Sequence, residues 1–320
     1  MKKMILVLLS AMILALAGCG EIEKLENTIV LGEGNWDSFT FHNQVVKFIL
    51  VEGYNKEVDV VPADTTLGLA GLIGGDIDVY LELWSDNLAT YKDDIATGKY
   101  LELSVNFDDN AQGIYIPRYL QEQYPDLISV QDLERYPELF PNPEGGSKGI
   151  IYGGTEGWSA TAFLREKITN YGLDEYYVFK TIDSTDILNA TLLAAYQKEE
   201  PWVGYNWEPT WIIGLLDMIL LEDTTYSPEA FAIGEGSFPS VRVTVTSNPA
   251  LKDDHPEVYT FLTNYETSSE LTSQALAYMQ ENDVEADIAA IYFLESNTDL
   301  WKDWVSEEAY DNIIDALSQK

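Results

Sequence analysis

Hydrophobic positions change between two periods along the chain, and this change predicts short strands that alternate with helices. Residues 28–31 form a β-branched run, and residues 38–51 then carry apolar side chains at roughly helical spacing. The same order returns with strands at 58–61 and 77–83 and helices at 67–73 and 87–96. Alternating strands and helices are typical of α/β architecture with parallel strands.

A second series of the same kind begins after residue 113. We predict strands at 114–116, 150–152, 177–181, 203–206 and 241–245, helices at 159–171 and 184–198, and a helical segment from residue 256 to the end. Ser159 and Ser184 each precede an apolar periodic stretch, as N-caps do. The proline- and glycine-rich residues 136–149 are expected to form a surface loop.

A chain of 320 residues exceeds what one hydrophobic core usually supports, so two lobes are expected. We predict a discontinuous first lobe of residues 28–111 plus 241–320 and a continuous second lobe of residues 112–240. The two crossings between the lobes, near Gln112 and Pro239, would then form a hinge.

The first residues have the order of an export signal. Lys2 and Lys3 precede an apolar run over residues 5–17, which is shorter than the roughly 20 residues that a membrane-spanning helix needs. The run ends in Leu-Ala-Gly-Cys, which resembles the lipobox of bacterial lipoproteins. We predict a signal peptide of residues 1–19 ending at a lipidated Cys19, then a tether of residues 20–27. An ordinary signal peptide with an incidental cysteine is the alternative.

The composition limits which kinds of partner and covalent link the protein can have. Cys19 is the chain's single cysteine, so it cannot form an internal disulfide. The formal net charge is −36, from 54 acidic and 18 basic residues, and removing Lys2 and Lys3 makes it about −38. That field repels phosphates, so no nucleic-acid partner is expected. It keeps an exported protein soluble and mildly favours the approach of a cationic ligand.

Several motifs do not support the chemistry that they suggest. Residues 145–149 match the G-x-S-x-G nucleophile elbow, with His255 downstream, but a strand must precede such a serine and here a loop does. Gly32 and Gly34 begin a dinucleotide fingerprint, and Asp37 occupies its third glycine position. With two histidines and no C-x-x-C, no metal site and no cofactor are predicted.

Tryptophans follow several of the predicted strands. Trp36, Trp84, Trp158 and Trp207 each lie beside small or turn-forming residues just after a strand. In α/β proteins the carboxyl ends of strands carry the ligand site. A permanent cation that cannot donate hydrogen bonds is held best by indole faces, at roughly 0.5 to 2 kcal/mol each. The alternative is that each tryptophan is an ordinary core or surface aromatic.

Five strings carry a resemblance to a known family. They are Leu-Trp-Ser-Asp-Asn at 83–87, Gly-Trp at 157–158, Tyr-Asn-Trp-Glu-Pro-Thr-Trp at 205–211, Ile-Pro-Arg-Tyr at 116–119 and Trp-Lys-Asp-Trp at 301–304. Together with Ala-Gln-Gly at 111–113 they resemble the substrate-binding proteins of glycine betaine/proline importers, over nearly the whole mature chain. The resemblance implies a two-lobed type II periplasmic binding protein fold, in which each lobe is a mixed sheet flanked by helices.

The same resemblance implies the site. Trp84 from the first lobe and Trp158 and Trp207 from the second match the family's cation cage, and Trp36 is a weaker fourth candidate. Backbone amides of Ser159 and Ala160 are implied as the carboxylate site, since they open a helix and favour an anion. Arg118 is a candidate ionic partner of that carboxylate, with a surface arginine near the hinge as the alternative.

Glu82 and Glu208 flank the cage in sequence. Either carboxylate could neutralise the ammonium and shift preference toward choline or carnitine. The interpretation that we favour from the sequence is that both are outward-facing strand residues.

Together, these predictions indicate an extracytoplasmic lipoprotein that is not an enzyme. It would capture glycine betaine or a related quaternary ammonium compound and deliver it to an ABC permease and ATPase complex. A sugar-binding lipoprotein with stacked tryptophans is one alternative, and a secreted glycoside hydrolase is another, because 54 acidic residues do not exclude a catalytic pair.

Overall fold

A computed structural model describes residues 27–88, 90–156 and 158–320 of the protein. The predicted signal peptide and lipidated Cys19 lie outside the described residues, as does nearly all of the predicted tether. Over the described ranges, no helix combines the length and the apolar character needed to cross a membrane.

Strands and helices follow one another in the described part of the chain. The strands are β1 (Thr28–Glu33), β2 (Glu57–Pro62), β3 (Val79–Trp84), β4 (Leu101–Phe107), β5 (Gln112–Pro117), β6 (Gly149–Thr155), β7 (Tyr177–Ile182), β8 (Gly204–Trp207), β9 (Met218–Leu220) and β10 (Val243–Ser247). The helices are α1 (Asp37–Phe48), α2 (Thr65–Gly74), α3 (Tyr91–Ala96), α4 (Arg118–Gln123), α5 (Ser159–Asn170), α6 (Thr185–Tyr196), α7 (Trp211–Leu215), α8 (Pro228–Phe231), α9 (Leu251–Asp254), α10 (Pro256–Thr263), α11 (Ser269–Asn282), α12 (Ala286–Ser296), α13 (Thr298–Trp301) and α14 (Glu307–Leu317).

The strands form two five-stranded mixed sheets. The first has the order β2-β1-β3-β10-β4, in which β1 is parallel to β2 and β3 while β10 is antiparallel to β3 and β4. The second has the order β7-β6-β8-β5-β9, in which β6 is parallel to β7 and β8 and β5 is antiparallel to β8 and β9. Parallel neighbours bring the ends of β1 and β3, and of β6 and β8, to one edge of each sheet.

Each sheet has its own apolar core. Phe39 and Phe41 of α1 pack over the first sheet, where they join buried side chains of the C-terminal helices such as Phe261 and Trp301. On the second sheet, Leu164 of α5 and Leu188 of α6 are both fully buried, and they belong to separate clusters. Burial of these amphipathic helix faces fixes each helix against its sheet.

The chain crosses between the sheets twice, and one side chain joins the two crossings. It passes to the second sheet between β4 and β5 and returns between β9 and β10. Asn110, on the first crossing, donates from Nδ2 to the Val241 carbonyl at 2.5 Å and accepts the Val241 amide at Oδ1 at 2.9 Å. Both amide ends of a buried asparagine are therefore satisfied by the returning segment. The predicted division of the chain into lobes stays a prediction, as does the hinge.

We call each sheet with the helices packed on it a unit: the first contains β1–β4 and β10, and the second contains β5–β9. Helix α7 of the second unit packs against α11 of the first. A side chain on Gly214 would bring a Cβ atom to 2.1 Å from the Ser273 carbonyl oxygen, so glycine permits this close approach. The Thr210 amide also donates to Ser273 Oγ at 3.2 Å. Trp211 contacts the apolar clusters of both units. These contacts hold the start of α7 at the boundary between the sheets.

Most of the elements predicted from the pattern are present, and the mixed α/β fold is confirmed. The prediction that Ser159 is an N-cap is wrong, because Trp158 holds the cap position in extended backbone and Ser159 is the first helical residue. The Ser184 cap is confirmed, since its side chain accepts the Ile187 amide. Strands β4 and β9 were not predicted, although Leu101, Leu103 and Val105 alternate in β4 as a strand requires.

Candidate functional site

A cavity of about 780 Å³ lies between the two sheets. Its aromatic lining consists of Trp36, Trp84, Trp207 and Trp211. Trp36 follows β1, Trp84 ends β3 and Trp207 ends β8, so three rings come from the carboxyl ends of strands. The sequence prediction assigned these positions to one site, and the structure brings Trp36, Trp84 and Trp207 to the same cavity.

On the first-sheet side, one carboxylate oxygen joins two of the indoles. Trp36 Nε1 donates to Glu82 Oε1 at 2.8 Å, and Trp84 Nε1 donates to the same oxygen at 3.2 Å. Ser38 Oγ donates to it at 3.0 Å. Trp84 also packs edge-on against Phe107 with ring centroids 6.1 Å apart, and Trp36 contacts Phe39 at 5.3 Å. Both rings are thus held by their nitrogen edges and by neighbouring aromatics.

On the second-sheet side, Trp207 is held between two other aromatics. It stacks on Tyr205 with centroids 5.6 Å apart and meets Trp158 edge to face at 5.5 Å. Trp158 is 37% exposed and does not belong to the cavity lining itself. Trp158 therefore contacts Trp207 but lies beside the cavity and not in its lining. Trp211 lines the cavity but was not among the predicted site residues, although it lies in the same string as Trp207.

The polar part of the lining comes mostly from residues at or near the starts of helices. It consists of Asn35, Asp37, Ser38, Thr65, Thr66 and Asn87 from the first unit and Thr185, Asp186, Asn189 and Thr210 from the second. These residues were missed from the sequence, although helix starts that follow strands were a usable signal. Among the described residues of the lining, no side chain is lysine, arginine or histidine. The cavity thus combines aromatic faces, hydroxyl groups and two carboxylates.

The predicted carboxylate contacts lie elsewhere on the second unit. Ser159 and Ala160 open α5 beside Trp158, and the first amides of a helix have no acceptor within the helix. Neither residue belongs to the cavity lining. Arg118 is exposed and its Nε donates to Asp217 Oδ1 at 2.6 Å, so the guanidinium is paired away from the indoles. That pairing raises the pKa of Arg118.

The two glutamates near the cage differ. The expectation that Glu82 faces outward is wrong, because its side chain lies beneath the rings and the residue is 1% exposed. Glu208 is half-buried and accepts the Tyr115 hydroxyl at 3.0 Å, and burial raises its pKa. Alternation along β3 places Tyr80, Glu82 and Trp84 on one face of the strand, which is the face that packs against Phe39.

Burial raises the pKa of Glu82 from 4.5 to about 7, against the opposing effect of its three hydrogen bonds. The folded protein therefore favours the protonated carboxyl more than the unfolded chain does. We expect the free energy of unfolding to fall as the pH rises from about 4.5 to about 7, by up to about 3 kcal/mol from this group. Urea unfolding of wild type and Glu82→Gln at pH values across this window measures the difference. Parallel pH profiles of the two proteins would contradict the expectation.

Other features of the described residues do not form a comparable site. A second hollow, of about 1080 Å³, opens beside β4 and the C-terminal helices and is lined from the first unit and the crossing alone. Ser147 lies in a bend before β6, and His255 Nδ1 lies 3.4 Å from Lys56 Nζ. In the part of the chain that the structure describes, no group of three His, Cys, Asp or Glu residues is arranged to hold a metal ion.

Comparison with known proteins agrees with this architecture. The trimethylamine N-oxide-binding protein of Pelagibacter ubique (strain HTCC1062) is 21% identical over 94% of this chain and 98% of its own length. The crystal structure of the glycine betaine/L-proline-binding protein of Borrelia burgdorferi superimposes with a TM-score of 0.60 at 19% identity, covering 89% of this chain and 99% of that one. A lactococcal binding protein in its closed form with glycine betaine gives 0.60 at 18% identity, covering 88% and 100%.

A choline-binding protein of an ABC transporter, solved with choline, gives a TM-score of 0.59 at 17% identity and covers 91% of this chain and 98% of that one. These structures share the two-lobed periplasmic binding protein fold, which this chain therefore adopts. Residues 27–296 match the family described as the substrate binding domain of ABC-type glycine betaine transport systems. The family consists of transport proteins that bind a substrate. This chain belongs to that family of substrate-binding domains.

Proposed function

We propose that this protein is the extracytoplasmic receptor of an ABC importer and binds a small quaternary ammonium compound in the cavity between its two sheets. One observation carries the proposal: Trp36, Trp84 and Trp207, from strand ends of both sheets, line a single cavity that holds no basic side chain among its described lining residues. The relatives named for glycine betaine, choline and trimethylamine N-oxide bind ligands of this chemistry.

The interaction energies expected for the indole rings are consistent with micromolar affinity for the ligand. Three indole faces contribute on the order of 5 kcal/mol to holding a methylated ammonium once water is excluded. Micromolar affinity requires about 8 kcal/mol. The remainder comes from burial of the methyl groups and from the polar end of the ligand. Hydroxyl groups of Thr65, Thr66 and Thr185 line the cavity and are available to an uncharged polar end, such as a hydroxyl group.

The cage is divided between the two units, and this has a mechanical consequence. A ligand completes its contacts with Trp84 and Trp207 only when the two sheets are close together. Binding therefore stabilises the closed form that a permease recognises. We propose that residues 28–111 with 241–320 and residues 112–240 are the two lobes, that the crossings near Gln112 and Pro239 are the hinge, and that Trp158 joins the cage through Trp207.

A carboxylate, where the ligand has one, is proposed to accept hydrogen bonds from the Ser159 and Ala160 amides. These amides open α5, a helix of 12 residues, and its dipole favours an anion there. Arg118 is a weaker candidate, because Asp217 already occupies its guanidinium.

Membrane attachment through a lipidated Cys19 and delivery to a permease and ATPase complex complete the proposal. The lipobox-like string before Cys19 supports the anchor. A lipobox cysteine carries two acyl chains, and two chains give the stable anchoring that a single chain does not.

Tryptophan fluorescence tests the proposed function directly. Glycine betaine, choline, trimethylamine N-oxide and several sugars are titrated into the purified protein, with isothermal calorimetry as a second readout. We expect saturable binding of one methylated ammonium compound at one site per chain. Binding of sugars alone would favour a sugar-binding lipoprotein, and release of product from an oligosaccharide would favour a glycoside hydrolase; either result would overturn the proposal.

A further inference from the structure

Glu82 lies behind the cage instead of in it. The residue is 1% exposed and does not belong to the cavity lining, whereas Trp36 and Trp84, which both donate to its Oε1, do belong to it. The two rings therefore separate the carboxylate from the cavity. A ligand in the cavity would contact the two indole rings and not the carboxylate itself.

Among the residues that the structure describes, the Glu82 carboxylate has no positively charged partner. Its Oε1 accepts three neutral donors, from Trp36, Trp84 and Ser38, and its Oε2 is buried without a hydrogen-bond partner among the described residues. Over the same residues, no lysine, arginine or histidine forms an ion pair with it. A buried carboxylate without a counter-ion is costly unless a cation comes near.

We propose that Glu82 is the buried counter-charge of the cage: it orients the indoles of Trp36 and Trp84 and makes the site select a ligand that carries net positive charge at its methylated centre. The inference rests on the proposed function, because it assigns the charge selectivity of the same cavity. It names a positioning and specificity-determining residue that does not contact the ligand.

Two physical effects act in the same direction. An indole N–H that donates to a carboxylate becomes more polarised, and the ring face gains negative character, which strengthens its attraction for a cation. The carboxylate charge also acts directly across the rings, where little water screens it. Asp37 and Asp186 in the lining add negative charge at the exposed rim, where screening is stronger.

Choline and 3,3-dimethylbutan-1-ol form the matched ligand pair for the test. They have the same shape, but choline has a positively charged nitrogen where the alcohol has a neutral carbon. Both are titrated into the whole mature protein at about pH 8, above the pKa of about 7 that burial gives Glu82. Wild type, Glu82→Gln, Glu82→Asp and Glu102→Gln are compared, and circular dichroism checks their folding. Glu102 is a matched control, since it lies on β4 of the same sheet and pairs with Arg242 instead of an indole.

Glu82→Gln is expected to weaken choline binding about tenfold and to change binding of the neutral alcohol less than about twofold. Glu82→Asp keeps the charge but withdraws the acceptor from the indoles. It should therefore weaken binding of both ligands, and of choline somewhat more because the ring faces are less polarised, but choline should stay favoured because the charge remains. Equal affinities for the two ligands in this variant would overturn the proposal even if Glu82→Gln fails to fold. Glu102→Gln should change neither ligand.

If Glu82→Gln lowers the affinity for both ligands equally, the carboxylate has only a structural role and the inference is overturned. An unchanged affinity for choline would also overturn it. If wild type binds none of the ammonium compounds, the proposed function fails instead. The two failures are therefore distinct.

Discussion

Trp207→Ala is expected to weaken binding of the ammonium ligand by about 1 to 3 kcal/mol while the protein stays folded. Trp207 is half-buried and offers a face to the cavity while it stacks on Tyr205. Removing it takes away one wall of the cage and also the ring against which Trp158 packs. Adding Trp84→Ala removes a wall from the other sheet, so the double variant should lose most of the affinity.

Isothermal calorimetry of Trp207→Ala, Trp84→Ala and the double variant measures these losses, and circular dichroism confirms folding. Trp207→Phe keeps an aromatic face and should retain part of the affinity. Tyr226→Ala is the control, since Tyr226 is an exposed aromatic of the second unit outside the cavity lining. An unchanged affinity in Trp207→Ala would remove this residue from the cage.

Lys167→Met should lower the free energy of unfolding by about 3 to 5 kcal/mol, because it leaves a buried carboxylate without its cation. Lys167 lies on α5 and its side chain is 3% exposed, and that of its ion-pair partner Asp223 is 6% exposed. Lys167 Nζ also donates to the Gly236 carbonyl at 2.5 Å, and Tyr171 donates to Asp223 at 2.6 Å. The pair fastens the segment that follows β9 onto α5.

Urea unfolding followed by circular dichroism measures this loss. Burial lowers the pKa of Lys167, although its hydrogen bond and ion pair with Asp223 oppose the shift. Lys167→Met combined with Asp223→Leu removes both charges and should recover much of the lost stability. Lys302→Met breaks the exposed pair with Asp299 and should leave the unfolding midpoint unchanged. Equal midpoints for Lys167→Met and wild type would refute the assigned role.

Local pattern was sufficient to predict most elements of the fold. A β-branched run with an apolar helix behind it identified β1 and α1, and Ser184 identified the start of α6. The order of strands could not be predicted from the sequence, because β10 lies between β3 and β4 although more than 130 residues separate it from them in the chain. The start of α5 at residue 159 was predicted, but its cap was assigned one residue too late, since Trp158 in extended backbone holds the cap position instead of Ser159.

For the site, the chain itself determined which residue types lie at the strand ends: Trp36, Trp84 and Trp207 follow from the printed order of residues. Tertiary structure decided how they meet. Glu82 reads as one acidic residue among 54, and only the packing of α1 over β3 buries it where two indole nitrogens converge. The physical reason is that side-chain pairing across 46 residues depends on sheet register and helix packing, which leave no local signal in the sequence.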